Sequence, residues 1–226
     1  MKNSISPVFM LFGILFTACL LISNILAIKI ITIGALAVPA GVIIFPISYI
    51  VNDVIVEIWG YKKARFVIWI GFAMMILSNV MYQLAIEIPA APFWTNQDSF
   101  ATILQNSPRI GLASVLAYLS GSFANAFIMS KMKVMSKGKN FSLRAILSTL
   151  VGEGLDSMVF IAVAFIGIIP AKELLMMVLA QTFIKTAYEI IVLPVTILVV
   201  NKVKKVESET AFDSNISYNP FKLNEV

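Results

Sequence analysis

The sequence predicts an all-α polytopic membrane protein, a bundle of six transmembrane helices, and three observations carry that prediction. Hydrophobic residues make up 59% of the 226, and charged residues only 13%. A soluble domain carries about 25% charged residues, so lipid has to cover much of this surface. Six apolar runs are long enough to cross a hydrocarbon core, which takes about 20 residues as helix. The lysines and arginines are grouped in the segments between those runs.

The first run, residues 8–30, follows a single lysine, Lys2. It exceeds the roughly 7–15 apolar residues of a secretory signal and lacks a small-residue cleavage site, so it reads as a span. The second, 38–58, carries Pro39, Gly41 and Pro46, which predict an irregular or kinked first half sheltered by protein. The third covers 64–86. A loop over 87–108 holds Pro89, Pro92, Trp94 and Asp98, and Trp94 is expected at the headgroup level. The remaining spans are 109–129, 145–168 and 174–200. Residues 1–205 form the transmembrane domain. Residues 206–226 are polar and mixed in charge, and are expected to be a disordered cytoplasmic tail.

Loop charges predict orientation. With the N-terminus inside, 13 of the 17 lysines and arginines fall on the cytoplasmic side. Lys29, Arg109 and Lys172 fall outside, and Lys185 lies within a span. The positive-inside rule then places both termini in the cytoplasm. The net charge of +5 is explained by these loops and not by nucleic acid. Histidine is absent and Cys19 is the single cysteine, which disfavours metal centres, disulfides and thiol chemistry. No cofactor is expected.

Polar residues inside the spans mark the candidate site, because a charge at a helix centre costs about 2.5–3.5 kcal/mol and turns inward or to a cavity. Tyr49, Asp53 and Glu57 are spaced four apart on one helix face, as are Gln181, Lys185 and Glu189. Thr149, Glu153 and Asp156 form a third stripe. Asn24, Asn79, Gln83, Ser114, Tyr118 and Asn125 add uncharged groups. Asp156 and Lys185 are each about 17–18 Å along their helices, near the midplane, and are placed to pair. Lys185 with Glu189 one turn on is the simpler alternative. Glu57 reads equally as a carboxylate paired with Lys62, Lys63 and Arg65. Each half has three spans with an acidic stripe on its middle span, the pattern of a 3+3 inverted repeat.

The run Phe45-Pro46-Ile47-Ser48-Tyr49-Ile50-Val51-Asn52-Asp53, followed by Glu57, Gly60, Tyr61, Ala64 and Arg65, resembles the bacterial queuosine precursor transporters, also called the vitamin-uptake-transporter-like family. Ser23-Asn24, Ala91-Pro92-Phe93-Trp94, Pro108-Arg109-Ile110, Ala113-Ser114, Ala117-Tyr118, Arg144, Ser148-Thr149, Asp156-Ser157, Lys185, Tyr188-Glu189 and Pro194 extend the resemblance over residues 9–200. It implies uptake of a 7-deazaguanine base, such as 7-cyano-7-deazaguanine or its aminomethyl form, across the bacterial inner membrane. A guanine-like edge presents N–H donors that a carboxylate accepts as a pair, and its flat ring stacks on an aromatic. The substrate-binding candidates are Asn24, Asp53, Asn125, Glu153, Asp156, Gln181, Lys185 and Glu189. Arg65, Arg109 and Arg144 match the family at the membrane boundaries, where capping or anchoring roles are expected.

Two transport readings stay open: a self-sufficient secondary transporter, coupled to protons through Asp53, Glu153 or Asp156, or a substrate-capturing subunit of an ATP-driven importer. Homo-oligomer and energising complex are both compatible with the sequence. An enzyme finds no support, since no nucleophile motif or phosphate loop is present.

Overall fold

The computed structural model describes residues 6–33, 36–105, 108–207 and 210–223. Helix α1 (Pro7–Leu26) starts where the sequence specifies a start. Pro7 sits at the first helical position, and the Ser6 hydroxyl accepts the amides of Val8 and Phe9. A β-hairpin follows, β1 (Ile30–Ile33) against β2 (Leu36–Pro39), with Ile30 opposite Pro39. One 3-10 turn, Ala40–Ile43, leads into α2 (Phe45–Glu87). A short α3 (Gln97–Leu104) precedes α4 (Pro108–Met135), α5 (Phe141–Phe165) and α6 (Ala171–Glu207). Among the described residues, five helices (α1, α2, α4, α5 and α6) are long and apolar enough to cross a membrane.

The hairpin departs from the predicted spans, which ran to Ile30 and resumed at Val38. The run Ile30-Ile31-Thr32-Ile33 is β-branched throughout, and such side chains fit a strand better than a helix. Pro39 closes the ladder at its end, where the lack of an amide proton costs nothing. The amide of Ala40 then bonds back to the Lys29 carbonyl at 2.7 Å.

The predicted second and third spans are joined through α2, which breaks at Gly60 (φ 82°, ψ 172°). That conformation is open essentially to glycine alone. Both arms meet the same face of α4. Before the break, the Asn52 amide donates to Asn125 Oδ1 at 2.7 Å and Lys133 donates to the Glu57 carbonyl. After it, the Tyr118 hydroxyl donates to the Ile68 carbonyl at 2.7 Å. Residue number rises together with α4 along the first arm and oppositely along the second, so α2 folds back on itself at Gly60.

The first arm is the centre of the molecule: Ser48 to Tyr61 are buried without interruption. Helices α1, α4, α5 and α6 surround it, so its apolar faces are covered by protein and its polar stripe of Tyr49, Asn52, Asp53 and Glu57 is enclosed. Helices α4 and α5 approach closely at Gly121 and Gly152. A Cβ on Gly121 would lie 2.8 Å from the Gly152 carbonyl, and one on Gly152 would lie 2.7 Å from Asn125 Cβ. The outward faces of α1 and α6 expose Leu11, Ile14, Leu179, Phe183, Ile191 and Leu198, as suits lipid contact.

The tail also departs from expectation. Residues 210–223 pack against the Gly60 end of the bundle. Asp213 is 7% exposed, and its Oδ2 accepts the Tyr61 amide at 2.8 Å and the Ser130 hydroxyl at 2.6 Å. It therefore caps the second arm of α2, whose first amides have no partner within the helix. Arg65 donates to the carbonyls of Ser217 and Asn219. The Trp69 indole donates to the Pro220 carbonyl at 2.8 Å, and Lys131 lies 4.4 Å from the Tyr218 ring centroid. Asp213 thus serves an amide left open by the break, while Ser214, Asn215 and Asn219 stay exposed.

Candidate functional site

A cavity of about 660 Å³ opens near the hairpin end of the bundle. Ile28, Ile30 and Pro39 frame it on one side, and Gln105, Ile110 and Phe165 on the other. Its walls are largely apolar, with Asn24, Ser114, Tyr118 and Gln181 as polar interruptions. Asp156 and Lys185 line it at depth. From Phe165 to Asp156 the helix runs about 14 Å at 1.5 Å per residue.

Lys185 organises this deep layer. Its Nζ lies 2.7 Å from Asp156 Oδ2 and 2.7 Å from Glu153 Oε2. The same ammonium sits 4.4 Å from the centroid of the Phe45 ring, a cation–π contact. The side chains of Lys185 and Asp156 are 11% and 10% exposed, while that of Glu153 is fully buried. Only the first two present polar atoms to a ligand. The expected Asp156–Lys185 pair is thus present. The alternative pairing of Lys185 with Glu189 is replaced by bonds across to α5, because the α5–α6 packing turns the ammonium toward Glu153 and Asp156.

A second layer lies about one helical turn further from the cavity. It contains Asp53, Asn125, Thr149, Ser148 and Glu189. Ser148 donates to Asp53 Oδ1 at 3.3 Å, and Asn125 donates to the Thr149 hydroxyl at 3.5 Å. Glu189 borders Asp53 and Thr149. Asp53 and Asn125 are fully buried and Glu189 is 2% exposed, and none of the three lines the cavity.

The third layer is Glu57, fully buried and held by three cations. Arg144 lies 2.7 Å away, Lys204 2.5 Å and Lys133 3.8 Å. Its expected partners, Lys62, Lys63 and Arg65, are not the ones that pair with it. Arg144 also donates to the carbonyls of Lys139 and Gly138, fixing the turn between α4 and α5. Arg109 caps the far end of α5 through the carbonyls of Val163 and Ile166, at 2.6 and 2.5 Å. These arginines act structurally, as the boundary positions suggested.

Of the eight sequence candidates, the cavity gathers Asn24, Asp156, Gln181 and Lys185. Glu153 stands directly behind them, and Asp53, Asn125 and Glu189 form the separate layer. Sequence reasoning missed the aromatic wall of Phe45 and Phe160. The usable signal for Phe45 was Pro46, since proline marks a helix start and so places its neighbour at the mouth of α2.

Residues 39–199 match the family model described as "Putative vitamin uptake transporter". A protein of Bacillus subtilis (strain 168), the "Probable queuosine precursor transporter", is 27% identical over 173 residues, covering 76% of each chain. No solved structure matches. The matched stretch begins at the end of the hairpin and contains the first two layers and, of the third, Glu57, Lys133 and Arg144; this chain, a multi-pass membrane transporter and not an enzyme, belongs to the vitamin uptake transporter family.

Proposed function

We propose that this protein imports a 7-deazaguanine base, a queuosine precursor, across the bacterial inner membrane as a secondary transporter. The observation that carries this reading is the deep layer of the cavity, where Asp156 and Lys185 face an otherwise apolar space of about 660 Å³ beside Phe45 and Phe160. Asp156 accepts the paired N–H donors of a guanine-like edge. Phe45 and Phe160 flank the flat ring. Lys185 meets a ring carbonyl, and Asn24 and Gln181 supply amides to the remaining edges. The name of the B. subtilis relative supports the substrate class.

The topology that goes with this reading has six spans, since the two arms of α2 each cross separately. It relates the halves before and after the loop around α3 as an inverted repeat. Positive residues concentrate at the Gly60 end, which supports a cytoplasmic side for that end and both termini and a cavity that opens to the outside.

The test is a titration of purified protein with 7-cyano-7-deazaguanine, its aminomethyl form, guanine and common vitamins. The deazaguanines are expected to bind at least tenfold more tightly than guanine, about 1.4 kcal/mol, and Asp156→Asn is expected to remove that preference. Equal binding of guanine sinks the substrate assignment. Uptake into proteoliposomes holding this chain alone separates secondary transport from dependence on an ATPase.

A further inference from the structure

The mechanism of binding just described uses Asp156 and Lys185 and leaves the Asp53–Glu189 layer without a task. We propose that Asp53 and Glu189 together form a proton-binding site, separate from the substrate cavity, through which proton movement is coupled to transport. This inference rests on the transport reading.

Both carboxyls are withdrawn from solvent, Asp53 fully and Glu189 to 2% exposure. They face each other across the packing of α2 on α6, close enough to interact electrostatically. Two ionised carboxylates offer only acceptors, so the approach is attractive only when one oxygen carries a proton. Like carboxylates sharing a site do not both ionise.

The nearby cations are already committed. On α5, Arg144 is bound to Glu57 at 2.7 Å and acts on Asp53 only at longer range. On α6, Lys185 is bound to Glu153 and Asp156, both at 2.7 Å. The other groups facing the pair are Asn125 from α4 and Ser148 and Thr149 from α5, all uncharged, with Glu153 beyond them. On α2, Glu57 lies one turn from Asp53 with its own three cations.

Two further atoms mark the pocket as incomplete. Among the described residues, Glu189 Oε2 has no hydrogen-bond partner, and neither has Oδ1 of Asn52, a residue 1% exposed. The Asn52 amide meanwhile donates to Asn125, which borders Asp53. Buried polar atoms are nearly always satisfied, and a proton carried by one of the two carboxyls gives the pair the donor that two ionised carboxylates lack.

Position gives the site its role. It sits between the cavity floor, at Lys185, and the Glu57 layer at the opposite end. Glu153 on α5 and Glu189 on α6 each lie one turn from a cavity-lining residue of the same helix. A ligand that draws Asp156 away from Lys185 alters the field at Glu153 and so at Glu189, which links substrate occupancy to the proton.

The experiment has a readout that needs no substrate. Infrared spectra of the full-length protein in lipid nanodiscs at neutral pH are recorded for wild type and Asp53→Asn/Glu189→Gln. The expected difference contains the carbonyl stretch of one neutral carboxylic acid per chain; no such band in the difference overturns the proposal. In proteoliposomes, an inward proton gradient is expected to raise uptake of 7-cyano-7-deazaguanine several-fold, and Asp53→Asn or Glu189→Gln alone to abolish that response. A response retained in both single variants, or a sodium gradient that substitutes for protons, also overturns it. If wild type neither binds nor takes up deazaguanines, the substrate reading fails, while the infrared result still decides the proton site.

Discussion

Gly60→Ala tests the hinge of the fold and the role of the tail in one substitution. The backbone there, at φ 82° and ψ 172°, lies where a non-glycine residue costs about 1–3 kcal/mol. The added Cβ would also lie 2.7 Å from Asp213 Oδ1 and 3.0 Å from Ala211 Cβ. Relief of that contact moves Asp213 off the Tyr61 amide and the Ser130 hydroxyl, bonds of 2.8 and 2.6 Å. Hydrogen bonds to a charged group contribute about 1.5–3 kcal/mol each. Loss of roughly one such bond, added to the strain, gives a total cost of about 4 kcal/mol.

A double-mutant cycle separates the two contributions. In a chain truncated after Glu207, Asp213 is gone and only the backbone strain remains, about 2 kcal/mol. Equilibrium unfolding in mixed micelles of wild type, Gly60→Ala, the truncation and the combination yields a coupling of about 2 kcal/mol. A cost below about 1 kcal/mol in the full chain, or the same cost in both backgrounds, would refute the claim that the tail seats on the Gly60 break.

Lys185→Met removes the ammonium that two carboxylates share. Breaking a buried pair this way costs about 3–5 kcal/mol, and the partial exposure of Lys185 and Asp156 to the cavity points to the lower end. The measurements are unfolding in micelles and deazaguanine binding, both of which are expected to weaken, and unchanged stability would contradict the pairing. Gly121→Ala forces α4 and α5 apart, because its Cβ would lie 2.8 Å from both Asp156 Cβ and the Gly152 carbonyl. Overpacking of this kind costs about 1–3 kcal/mol, and the shift of Asp156 is expected to lower ligand affinity by about tenfold or more in the same titration.

Much of this architecture is legible in the sequence because lipid imposes a simple rule: spans are long and apolar, and charges within them turn inward. The four-residue spacing of Gln181, Lys185 and Glu189 places all three on one face of α6. What the spacing does not contain is the rotation of α6 against α5. That rotation gives Lys185 to Glu153 and Asp156 and leaves Glu189 to Asp53. The hairpin was hidden for another reason, since its isoleucines continue the apolar run of the first span and hydropathy does not distinguish strand from helix. Gly60 reads as one glycine between two spans, yet its dihedral angles create the open amide that Asp213 fills. A tail whose composition suggests a solvated coil is therefore ordered by a defect more than a hundred residues earlier in the chain.

The three layers also explain why acidic stripes alone do not assign roles. Glu57, Asp156 and Asp53 are all carboxylates on membrane helices, and they differ chiefly in how many cations face them. Glu57 has three, so its charge is more than balanced, and it joins α2 to α4, α5 and α6 as a structural tie. Asp156 shares one ammonium with Glu153, and that ammonium touches the cavity, so the bond is open to exchange with a ligand that carries its own donors. Among the described residues Asp53 and Glu189 have no ion-pair partner, which accords with the proposed proton site. Moving outward from Gly60, the layers pass from excess positive charge, through a pair short of any cation, to one cation shared between two acids. On the proposed transport reading, a solute held at the last of these reaches the first only after passing the uncompensated pair. Under the proposed coupling, the protonation state of that pair sets the charge met along that route, although neither of its members touches the cavity.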